Sequence, residues 1–259
     1  MRIAAIVEYD GSRFSGWQLQ DDDRTVQGCV EEAFSKVANE SLRVTVAGRT
    51  DAGVHASGQV IHFDSDAKRR DYEWLRGANS NLPDDVAILW ARQVDSSFHA
   101  RFSATGRHYR YIILNRSVRP TYLAKRVTWE YRSLDIVPMQ RAAKTLIGTH
   151  DFTSFRAMQC QAKDPVKDLR RLKVSRNGEF VTIDAHANAF LHHMVRNIAG
   201  VLMSIGAGEQ TSEWARDVLA ARDRTVAGMT APAHGLYLTA LEYPEHFEIP
   251  PLSSGPELW

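Results

Sequence analysis

In VAGRTDAGVHASGQVIHF, residues 46–63, a guanidinium and a carboxylate stand two residues apart at Arg49 and Asp51, among glycines at 48, 53 and 58. Side chains two apart in an extended segment lie on one side, so Arg49 and Asp51 are expected to project together. Gly48 and Gly53 allow positive φ on either side of them, or the close approach of another chain. A hairpin needs only two to five loop residues, and this one spends roughly ten. The bland reading is a turn Asp in a surface ion pair, worth ~0–1 kcal/mol. Against it, Arg49, Thr50, Asp51, His55, Gln59 and His62 crowd polar function into fourteen residues on and beside a loop between strands, where catalytic groups tend to sit.

Three chemistries are open to Asp51. General acid/base work wants a partner, and His55 is near enough in sequence to serve, although it equally suits holding the loop by a hydrogen bond. Metal binding wants further oxygen or nitrogen ligands, and Arg49 alongside argues against a cation. Nucleophilic attack needs an ionised Asp in a dry site, with a nearby Arg opposing the rise in pKa that burial causes. The Arg49–Asp51 spacing suits the nucleophile best.

Hydrophobic periodicity supplies the elements that carry this loop. Residues 2–9 read as a strand and 25–39 as a helix, with Val26, Val30, Ala33, Phe34 and Val37 at helical spacing behind Thr25 as N-cap. Strands follow at 42–47 and 59–64, then a helix over 71–79 and a strand over 86–94. That order is the split βαβ, ferredoxin-like arrangement. The second half repeats it: a strand at 108–114, a helix over 135–147 closed by Gly148, strands at 166–175 and 179–187 joined by Asn177-Gly178, helices over 190–206 and 212–222, and a strand at 236–243. The expected fold is α+β, two ferredoxin-like or RRM-like halves with antiparallel sheets flanking a central cleft. The expected domains are 1–103 with the Asp loop, 104–244, and an extended, poorly ordered tail over 245–259.

The chain has 259 residues, 44% of them hydrophobic and 24% charged, as in an ordinary soluble protein with room for one large or two medium domains. The apolar start is too short for a signal peptide, and no segment approaches the ~20 residues of a membrane span. Cys29 and Cys160 make neither a disulfide framework nor a cysteine zinc site, so a reducing cytoplasm is expected. Net charge is only +1, yet arginine far outnumbers lysine, and its forked donors suit phosphates and bases. Arg13, Arg24, Arg69, Arg70, Arg107 and Arg110 are candidate phosphate contacts, whereas the run Asp21-Asp22-Asp23 fits only a solvated edge.

GRTDAGVHA (48–56) resembles the active-site motif of the TruA family of tRNA pseudouridine synthases. EYDGSRFSGWQLQ (8–20), FHARFSATGRHYRYII (98–113), DFTSFRA (151–157), NAFLHHMVRNI (188–198) and GLYL (235–238) resemble further segments of that family, in the same order. The resemblance implies isomerisation of uridine to pseudouridine at positions 38, 39 and 40 of the tRNA anticodon stem-loop. It implies a homodimer, and a reaction that needs no cofactor and no metal. It makes Asp51 the nucleophile, Arg49 the residue that helps expel the target base, Tyr109 the ring that packs on the flipped uracil, and Arg196 the partner of the catalytic carboxylate. Whether Asp51 attacks C1′ or C6 stays open.

Read without the resemblance, Tyr109 and Tyr111 share one strand face and suit a core, and Arg196 borders a buried helical stripe from which an Arg usually reaches out to water. His192 and His193, adjacent on the expected helix, face different sides and make a poor metal pair. His150-Asp151 invites a metal phosphohydrolase but lacks further ligands at usable spacing, and Phe152 and Phe155 look like packing residues. The other rival is a non-catalytic RNA-binding protein with two RRM-like domains, although a clear RNP aromatic signature is missing.

Overall fold

The computed structural model describes residues 1–160 and 162–251. Two compact units divide the chain, one of residues 1–105 together with the segment from Tyr237 onward, the other of Gly106–Leu236. Both mix helices with mostly antiparallel strands, which makes the fold α+β.

The first unit opens with β1 (Arg2–Tyr9), α1 (Val26–Ala38), β2 (Thr45–Val46), β3 (His55–Asp64), α2 (Asp71–Asn79) and β4 (Val86–Val94). β1 lies between β3 and β4, antiparallel to both, with Ala5 opposite Ile61 and Ala91. Such a central strand is covered on both faces, and Ile3 to Val7 are fully buried. Phe34 of α1, Phe63 of β3 and Trp74 of α2 meet with ring centroids 4.7 to 6.1 Å apart. Burying each Phe is worth roughly 1.5–3 kcal/mol. Thr25 caps α1 by accepting the Gly28 N–H, and α2 begins and ends where its sequence pattern says. The strand expected over 42–47 shrinks to two residues, because only Thr45 and Val46 find ladder partners, His62 and Ile61 on β3.

The second unit holds β5 (Gly106–Asn115), β6 (Thr128–Glu130), α3 (Ile136–Thr145), β7 (Gly148–Asp151), β8 (Val166–Asn177), β9 (Phe180–Ala187), α4 (Met194–Gly206) and α5 (Trp214–Ala221). β5, β9, β8 and β7 lie side by side in that order, each antiparallel to the next, while β6 runs parallel to the end of β5. The β8–β9 hairpin turns after Asn177, with Gly178 at φ +56°. α3 stops at Leu146, and Gly148 at φ +120° starts β7 instead of closing the helix.

The final strand, β10 (Leu236–Glu242), was expected in the second half. Its residues Tyr237 and Leu238 pair in parallel with His55 and Ala56 of β3, so it joins the first unit. Beyond it the expected extended tail begins with a single helical turn, Glu245–Phe247, whose Phe247 ring lies 5.2 Å from that of buried Phe98. The rest of that expectation, residues 252–259, lies outside the described residues.

Candidate active site

Asp51 occupies the first corner of a tight turn. Its carbonyl accepts the Val54 N–H at 3.1 Å, and Gly53 sits at φ +77°, the conformation that the third position of a type II turn requires. Gly48 shows neither predicted use: its φ is not positive and space is open where a Cβ would stand. The close backbone approach comes instead from residues 11–17. Gly16, at φ +100°, lies so near the loop that a Cβ would be 2.9 Å from the Thr50 carbonyl oxygen, and the Trp17 N–H donates to that same oxygen at 3.0 Å. A Cβ on Gly11 would stand 1.9 Å from the Val54 carbonyl oxygen.

Side chains pin the same loop from within the sheet. Tyr9, at the end of β1, meets the Thr50 hydroxyl with an O–O distance of 2.7 Å, and Gln59 on β3 donates to the Gly48 carbonyl at 2.7 Å. Tyr9, Thr50 and Gln59 are all buried, and Trp17 packs its fully buried ring 5.9 Å from that of Tyr9. Burial pushes the Tyr9 phenol up to about 12, so it stays a neutral hydroxyl at working pH. Thr50 therefore faces inward, Asp51 is half-buried and Arg49 is exposed. His55, open in the sequence to two roles, is buried: its Nδ1 lies 3.0 Å from the Gly11 nitrogen and 3.2 Å from an Asp10 carboxylate oxygen, and its ring stacks on Tyr237 at 4.6 Å. Those contacts hold the loop against β10 and residues 10–11.

The other two predicted residues belong to the second unit. Tyr109 stands opposite Ala185 on β9, half-buried, with the edge of Phe190 against it at 5.1 Å and 84°. Tyr111, on the same face, is fully buried and donates to the Pro232 carbonyl at 2.8 Å, which makes it the core residue of the pair. Arg196 lies in the first turn of α4, half-buried, its Nε donating to the Ala231 carbonyl at 2.8 Å while the Ala231 N–H returns to the Arg196 carbonyl at 3.2 Å. Next to it, buried Asn197 accepts from the Thr230 hydroxyl at 2.7 Å and donates to the Phe155 carbonyl at 2.7 Å. These bonds tie residues 230–231 and the DFTSFRA segment to the start of α4.

Two expectations change here. α4 begins at Met194 rather than 190, because His193 takes a left-handed conformation at φ +63°. His192 and His193 thus precede the helix, and their rings lie together, 4.0 Å apart, rather than on different sides of it. Of the candidate phosphate contacts, Arg24 is engaged by both oxygens of Asp85 at 2.7 and 2.8 Å, and Arg110 by Asp184 at 2.7 Å. At the phosphohydrolase candidate, Asp151 accepts from the Thr153 N–H and hydroxyl, which hold its carboxyl below the usual range, and His150 Nε2 lies 3.0 Å from the Ile147 carbonyl oxygen. Phe152 and Phe155 are fully buried, as packing residues should be.

Sequence reading missed Tyr9, Gly11, Gly16 and Trp17 as supports of the Asp51 loop. The available signal was the clustering of two glycines and three aromatic residues within the ten residues of EYDGSRFSGW.

A family model described as tRNA pseudouridine synthase matches residues 5–103 and 142–244. The chain belongs to the tRNA pseudouridine synthase family. The tRNA pseudouridine synthase A of Nitrosococcus oceani is 57% identical over 259 residues, with 100% of both chains covered. That of Pseudomonas aeruginosa is 56% identical over 98% of this chain and 90% of its own, and that of an Enterobacter species 53% over 98% and 94%. Arg49, Asp51 and Arg196 fall within the residues that the pseudouridine synthase model matches, while Tyr109 falls in the stretch between them that the Nitrosococcus relative covers.

Proposed function

We propose that this chain isomerises uridine to pseudouridine at positions 38, 39 and 40 of the tRNA anticodon stem-loop, with Asp51 as nucleophile. The observation that carries the reading is the end-to-end likeness to tRNA pseudouridine synthases, in a chain whose Asp51 sits on a loop anchored from several sides. The N1–C1′ bond breaks, the uracil turns while held, and a C5–C1′ bond forms; C5 loses its proton and N1 gains one. Nothing is oxidised and no group is transferred in or out, so the chemistry calls for no cofactor and no metal.

The target base lies within a stacked stem or loop, so it must be flipped out before a carboxylate can reach it. Arg49, exposed beside Asp51, takes part in expelling it. Tyr109 packs against the extruded uracil, a contact worth ~1–3 kcal/mol against an unstacking cost of a few. Arg196 supplies positive charge that steadies the carboxylate. Each half is read as ferredoxin-like, and the working enzyme as a cytoplasmic homodimer that binds tRNA.

The test is tritium release from tRNA labelled at uridine C5, with EDTA present and no cofactor added. Wild-type protein releases tritium, and Asp51→Asn releases none while still binding tRNA. A protein that binds tRNA equally well whatever stands at position 51, and never releases label, is the RNA-binding rival instead. Release by Asp51→Asn at the wild-type rate removes Asp51 from the chemistry.

A further inference from the structure

A nucleophile is effective only if its backbone is held, because a displacement of about 1 Å can cost a rate factor on the order of 100. The segment carrying Asp51 is held by backbone bonds from Trp17 N–H to the Thr50 carbonyl and across the turn to Val54. The neighbouring peptide is fixed by side chains. Tyr9 and Thr50 share a buried hydroxyl–hydroxyl bond of 2.7 Å, and the Gln59 amide bridges the Gly48 carbonyl at 2.7 Å and the Tyr9 hydroxyl at 3.5 Å.

We propose that Tyr9 is a positioning residue for the isomerisation, acting through the Thr50 hydroxyl to fix the direction in which the Asp51 carboxylate points. The inference rests on the reading of Asp51 as nucleophile. A ring alone would fill the space beside Trp17; the hydroxyl is what couples β1 to the residue preceding Asp51. Because a Thr side chain can rotate about a single bond, loss of the Tyr9 hydroxyl leaves Thr50 buried without that partner and frees the loop to take a second arrangement.

The measurement is the single-turnover rate of tritium release, alongside tRNA dissociation constants and thermal melting, for wild type, Tyr9→Phe, Thr50→Val, Thr50→Ser and the double variant Tyr9→Phe/Thr50→Val. Tyr9→Phe and Thr50→Val are expected to slow turnover ~10- to 100-fold, with tRNA affinity unchanged within about twofold. Thr50→Ser, which keeps the hydroxyl, recovers most of the rate. The double variant is no slower than the slower single one, since both remove the same bond. Rates within twofold of wild type for both single variants overturn the proposal, as do losses that multiply in the double variant or that follow tRNA affinity. Should Tyr9→Phe melt far below wild type, the Thr50 Val-versus-Ser comparison decides alone. The parent reading fails separately, if wild type releases no label or Asp51→Asn matches it.

Discussion

Gly11 and Gly48 flank the same loop and make opposite demands. A methyl group on Gly11 would stand 1.9 Å from the Val54 carbonyl oxygen and 2.6 Å from its carbon, both backbone atoms that cannot swing aside. Gly11→Ala therefore pushes residues 10–12 off the loop, and overpacking of this kind costs about 1–3 kcal/mol. Gly48→Ala adds a methyl into open space and changes stability by less than about 0.5 kcal/mol. Urea midpoints of the two variants check the contrast, and equal midpoints would contradict the close approach of Gly11. The sequence marked Gly48 as a residue able to take positive φ or admit another chain; the backbone contact that demands glycine comes from a segment some forty residues earlier, which spacing within the motif cannot reveal.

At the scale of elements, what was legible is what local pattern governs. α1 with its Thr25 cap, α2, and the β8–β9 hairpin follow helical period, capping and the Asn-Gly turn signal. Two features escaped because their causes are not local. β10 pairs in parallel with β3 across more than 170 residues, and nothing in its own pattern names its partner. α4 starts late because His193 adopts φ +63°, which a string of apolar residues does not announce. β3 also carries a titration. His62 is buried with Nδ1 accepting the Ala100 N–H, and desolvation, helped by Arg2 and His99, lowers its pKa from 6.5 to about 4. Folding thus favours the neutral ring. Between pH 6.5 and about 4 the unfolded chain binds the extra proton, so the contribution is fully present above pH 6.5 and is lost on acidification through that window. Urea midpoints measured from pH 8 to 4.5 should fall in that window for wild type and fall less for His62→Gln. Parallel curves would mean that another group sets the slope.

For the whole molecule, a net charge of +1 cannot by itself draw in a polyanion. Attraction to tRNA has to come from arginines whose charge is not already met by a carboxylate. Arg24 fails that condition, since Asp85 holds it by both oxygens, and its guanidinium lies 4.1 Å over the Phe14 ring. Arg13, a few residues from the loop-holding Gly16, is exposed. Each phosphate neutralised releases counterions, so the logarithm of affinity falls with the logarithm of salt by a slope of roughly −0.7 to −0.9 per contact. tRNA binding titrated from 50 to 200 mM salt should weaken steeply, by ~10³-fold if about six phosphates are engaged. Arg13→Gln should make the slope shallower by about one contact, whereas Arg24→Gln, which removes a charge already spent on Asp85, should leave it unchanged. A slope near zero for wild type would mean that affinity is carried by stacking and hydrogen bonds to bases, and the arginine excess would then have no part in holding the RNA. An equal fall for both variants would mean that Asp85 releases Arg24 when RNA arrives, which makes the ion pair a store of charge for binding instead of a brace for residues 14–24.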